Sequence, residues 1–101
     1  MMIGTTDQVK QAEQIKGRIN AEFDRIARAL ETAAGKQTER DRIDTEAVIV
    51  ILEDKRTDVM EKGQASYFLN NWRELNDKVR QLITQDTRYM AINTRKAMRN
   101  R

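Results

Sequence analysis

Cysteine, histidine and proline are all missing from this chain, and aromatic residues are scarce. Without cysteine there can be no disulfide framework, no thiolate nucleophile and no thiolate metal site. Without histidine the commonest general base and the commonest neutral metal ligand are lost as well. Catalytic triads and dyads built on either residue are therefore excluded, and so is the Glu-x-x-His pairing of helical di-iron sites. Ser66 is the only serine. No base can be named for it from the sequence, and a helix-end or packing role accounts for it. Glycine-rich phosphate loops are absent too. No catalytic, cofactor-binding or metal-ligating residue is assigned, no small-molecule substrate is evident, and the chain reads as a non-enzyme.

Long apolar runs are also lacking. The longest, Ala47 to Leu52, is far too short to cross a bilayer. Met1 to Thr6 offers no apolar core for a cleavable signal peptide. The expectation is a cytoplasmic protein, or one in an assembly formed there, with no membrane contact.

What is present is charge and helix-forming residues. Charged side chains make up 35% of the 101 residues against 39% hydrophobic, and with no proline this is the composition of helices packed along narrow seams. Disorder is the competing reading of so polar a chain, but the apolar residues are periodic. Val9, Ala12, Ile15, Ile19, Phe23, Ile26, Leu30 and Ala33 recur at threes and fours, which places them on one helix face. Thr5 and Gln8 form a capping-box pair at its start, and Gly35 supplies a stop. The opposite charges of Arg18 and Glu22, and of Asp24 and Arg28, sit at helical spacing. Helix 1 is predicted over about 6–34.

Val48-Ile49-Val50-Ile51 alone would suggest a buried strand. Nothing else in the chain could pair with it, and Leu52, Val59 and Met60 return to helical spacing, so a second helix is predicted over about 44–62, capped by Asp41 or Asp44. A helix apolar around much of its circumference is one with more than one neighbour. Phase then argues for a turn at Gly63, because the seam resumes at Ala65, Phe68 and Trp72 on the opposite side of an uninterrupted helix. Phe68, Trp72, Leu75, Val79 and Leu82 continue at heptad-like spacing, and a single third helix is predicted over about 65–98. The expected fold is all-α, one helical domain over 1–101: a three-helix antiparallel bundle, or a hairpin with an extended C-terminal helix, packed in coiled-coil fashion.

Two features remain unabsorbed by that core. Tyr67 lies off the seam, and Tyr89, Met90, Ile92 and Met98 spread around the end of helix 3 where Asp86 and Asn93 interrupt the pattern. These five are the candidate partner-binding residues. The second feature is charge: Arg88, Arg95, Lys96, Arg99 and Arg101 close the chain with no acidic residue among them. They are candidates for binding nucleic-acid phosphates, although cations at a helix C-terminus also complement its dipole. Asp54, Asp58 and Glu61 share a helix face, but interleaved lysine and arginine make that a solvated surface rather than a cation site.

Size and composition resemble those of the helical-hairpin substrates of type VII secretion. Those carry Trp-x-Gly in their turn, whereas Trp72 is followed by Arg73 and Glu74. Type III needle subunits are similar in outline but have prolines in the turn, and this chain has none. It carries neither signature. The function expected is a non-catalytic protein–protein interaction module: a small helical adaptor, inhibitor, or structural component of a virus or other large assembly, with self-association expected as well. The alternative is a nucleic-acid-binding protein using the basic end.

Overall fold

Five helices follow one another in a computed structural model that describes residues 2–99: α1 (Thr6–Ala34), α2 (Glu39–Met60), α3 (Ala65–Asn71), α4 (Leu75–Thr84) and α5 (Thr87–Arg99). The protein is all-α. α1 starts where its cap residues dictate: Thr5 accepts from the Gln8 backbone N–H at 3.2 Å and Gln8 accepts from Thr5 at 3.1 Å, satisfying two otherwise orphaned donors. α1 and α2 form an antiparallel pair, tied across by the Arg56 guanidinium, which donates to Asp24 at 2.6 Å and lies 5.9 Å from the Phe23 ring centre. The opposite-charge pairs expected along α1 are not made. Glu22 turns to Arg25 instead, and Asp24 turns across to Arg56.

α2 begins earlier than the cap expected at Asp41 or Asp44. Thr38 is the N-cap, and its hydroxyl accepts from the Asp41 N–H. Asp44 is buried inside the helix rather than capping it. At the far end the chain does leave the helix around Gly63, and the turn is stitched to the N-terminus: Ile3 N–H donates to the Gly63 carbonyl at 2.6 Å and Ala65 N–H to the Ile3 carbonyl at 2.8 Å.

The third predicted helix is corrected to three short ones. At the first break the Asn71 side-chain amide donates to the Tyr67 carbonyl at 2.8 Å, a local bond that competes with helix continuation. The helix stops there, and Trp72 folds into the core. At the second, Asp86 is not an interruption of a seam but the start of a new helix, its carboxylate accepting the Arg88 N–H at 2.8 Å. Each break redirects the chain. α3 packs on α1, α4 on both α1 and α2, and α5 on α2 and α4 alone. The core runs through Ile19, Phe23, Ile51, Leu52, Phe68 and Val79, all fully buried. The result is elongated, 54 × 23 × 20 Å with a radius of gyration of 16.0 Å, against about 13 Å for a compact chain of this length.

Candidate functional site

α5 carries most of the residues singled out by sequence, and ion pairs decide where it lies. Asp44 stands in α2 with its side chain almost wholly buried. Arg95 donates to one of its oxygens at 3.0 Å and Arg99 to the other. The bond to Arg99, seconded by Arg95, outweighs burial and holds the Asp44 carboxyl below the usual carboxylate range. Ten residues along α2, Arg88 donates to Asp54 at 2.7 Å while also clasping Asp86 at 3.0 Å. Lys55 reaches Asp86 at 3.2 Å. The Arg88 bonds, more than that contact, hold the Asp86 carboxyl far below its ordinary value. Three of the five cations proposed for phosphate binding are therefore spent on carboxylates of the chain itself. Lys96 is half-buried. Arg101 lies outside the described residues.

The partner-binding candidates do not form one site. Tyr67 belongs to a separate cluster on α3, edge-on to Phe68 at 5.0 Å between ring centres and beneath the Lys62 ammonium at 5.5 Å. Burial pushes its phenol pKa up. Ile92 is in the core at 7% exposure, because it is the residue of α5 that seats the helix on its neighbours. Tyr89 is half-buried beside a 200 Å³ cleft floored by Ile26, Leu30, Val48 and Ile83. That cleft is smaller than the roughly 300 Å³ at which small-molecule sites begin. Its rim holds Glu22, which accepts two bonds from Arg25 at 2.6 and 2.8 Å. Only Met90 and Met98 are exposed, at 56% and 68%.

Sequence reasoning missed two further exposed apolar residues, Ile43 at 58% and Val50 at 57% exposure on α2. For Val50 the signal is the all-round apolarity of Val48 to Leu52, which the sequence alone gives to buried neighbours. The ion pairs fix how α2 and α5 run past each other. Asp44 meets α5 between Arg95 and Arg99, and Asp54 meets Arg88. In that antiparallel register Ile43 is level with Met98, Ala47 with Thr94, and Val50 with Ala91. Ile43 and Val50 sit on the exposed side of α2 with Ala47 half-buried between them against the core, while Ala91, Thr94 and Met98 are exposed along α5. The hollows that hold Ile43 and Met98 share Arg95 and Arg99, which joins those two residues on one outer surface of the α2/α5 seam.

No family model, curated protein or solved structure matches this chain. Its surface is thus the ground for a functional reading. Among the described residues no three acidic side chains gather as a metal site, and Asp54 is occupied by Arg88. No described helix is long and apolar enough to cross a membrane.

Proposed function

We propose that this protein is a non-catalytic interaction module, a small helical adaptor, inhibitor or assembly component, whose contact surface is the outer face of the α2/α5 seam. One observation carries the reading: Ile43, Val50 and Met98 each leave more than half their surface in water, and they lie together on that seam. Exposed apolar residues scattered singly need no explanation, whereas a grouped set marks a surface that is covered in use. Methionine at its edge suits such a role, since its unbranched thioether side chain adapts to the surface it meets. In the same reading α1 and α2 are the hairpin, and α3, α4 and α5 together stand in for the third member of a bundle.

The nucleic-acid alternative has less support, because Arg88, Arg95 and Arg99 each hold a carboxylate of the chain itself. Titration with DNA and RNA at two salt concentrations is expected to show no steep salt dependence. The interaction reading is tested by placing a photo-crosslinking residue at Val50, at Met98, or at the exposed Arg28 of α1 in cells that make the protein. Protein adducts are expected from the first two and not the third. Equal labelling at all three, or labelling from Arg28 alone, would refute it.

A further inference from the structure

We infer that the cleft between α1, α2 and α4 seats one apolar side chain of a partner protein, with a carboxylate of the same segment beside it. This is a second contact surface, and it stands whether or not the outer α2/α5 face is one. Size and floor define the anchor. The cleft holds about 200 Å³ over Ile26, Leu30, Val48 and Ile83. Ile83 is in the core, while the other three are only partly buried and complete the floor from α1 and α2. An apolar hollow of about 150 Å³ is enough to take a benzene ring. The space therefore fits a phenylalanine- or leucine-sized group and is too small for a whole drug-sized ligand. Interfaces gain most of their energy from such anchors in well-formed pockets.

Charge on the rim defines the neighbour of that anchor. Glu22 is the one acidic residue lining the cleft, and Arg25 donates to both of its oxygens, at 2.6 and 2.8 Å. The Arg25 bond holds the Glu22 carboxyl below its usual range against burial, and the charge of nearby Arg80 adds to that. Arg80 is exposed and makes no ion pair among the described residues. The rim thus carries two guanidinium groups against one carboxylate that is already taken. A partner's carboxylate meets open donors there, on Arg80 and on the Nη1 that Arg25 keeps free of Glu22. A partner's ammonium group meets two cations and no open carboxylate, which disfavours it.

Methyl NMR of the full chain, titrated with the peptide acetyl-Ala-Asp-Phe-Ala-amide, tests this. Saturable shifts are expected at Ile26, Val48 and Ile83 and not at Ile3 or Val50, which are exposed elsewhere. So short a peptide should bind with a Kd of about 1 mM. Asparagine in place of its aspartate should weaken binding about 3-fold or more, and lysine further still. Arg80→Gln changes an exposed side chain, so the fold should be kept. It should erase most of the aspartate preference and leave binding of the asparagine peptide unchanged. No saturable shift at the three floor methyls, or a lysine peptide that binds as well as the aspartate one, overturns the proposal. Phenylacetate that binds more tightly than the peptide overturns it too, since the cleft would then be a site for a free acid. None of these results bears on the α2/α5 face, which crosslinks from Val50 and Met98 test separately.

Discussion

Gly4 and Gly63 look alike in the sequence, yet only one of them is held to glycine by its surroundings. Gly4 has φ +153°, and a β-carbon there would stand 2.9 Å from that of Ala65. Gly63 marks the turn after α2 but has no positive φ, and a β-carbon on it would meet nothing within 4 Å. Gly4→Ala should therefore cost about 1–3 kcal/mol, the range for a strained backbone position. Gly63→Ala should fall within about 0.5 kcal/mol of wild type, as surface changes do. Chemical denaturation of the two variants checks both. Trp72 makes a second case. Its ring is in the core, but its indole N–H has no hydrogen-bond partner. Trp72→Ala should cost about 3–5 kcal/mol as a cavity. Trp72→Phe removes the unsatisfied donor along with some volume and should stay within about 1 kcal/mol of wild type.

The elements differ in how they are held. α1 and α2 share a long apolar interface, whereas α5 has Ile92 as its one fully seated residue and relies on carboxylates for the rest. Asp44 and Asp86 are both held below the ordinary aspartate value of about 3.9. A depressed carboxyl contributes stability that is complete above its unfolded pKa and is lost as pH falls through the folded one. Docking of α5 should thus be insensitive to pH from neutral down to about 5 and fail progressively below about 4. Amide exchange in α5 should rise there before exchange in α1. Asp44→Asn should raise α5 exchange already at neutral pH while leaving α1 unchanged. Equal loss of protection in both helices would show that α5 is no separate unit. The element scale also explains what sequence reasoning misread. One helix over 65–98 was expected because its apolar residues keep helical spacing across both breaks. The capable stop signals, Asn70-Asn71 and Asp86-Thr87, were there to be read, but polar residues on an exposed helix face look the same until their bonds are seen.

At the scale of the whole molecule, the breaks set the shape. A third helix kept straight would lie along the hairpin, whereas α3, α4 and α5 move from α1 across to α2. That seats α5 beside α2 and α4 rather than on α1. Small-angle scattering of the dilute protein should give a radius of gyration near 16.0 Å and an elongated profile; a value near the roughly 13 Å of a compact chain would contradict this arrangement.

Helical class, the start of α1 at Thr5 and the departure from helix near Gly63 were determined by the sequence alone, because caps, periodicity and phase are local properties of consecutive residues. The exclusion of histidine- and cysteine-based chemistry was likewise settled by composition. The fate of the basic end was not. Arg95 and Arg99 read as free cations until Asp44, fifty residues earlier in the chain, is seen buried between them. Nor could Ile43 and Val50 be separated from core residues by pattern, since an all-round apolar helix shows no preferred face. Only the packing of α5 beside α2 decided which apolar residues were covered and which were left on the outer seam. Charge pairing and burial across long sequence separations depend on where helices turn, and that is a property of the whole chain.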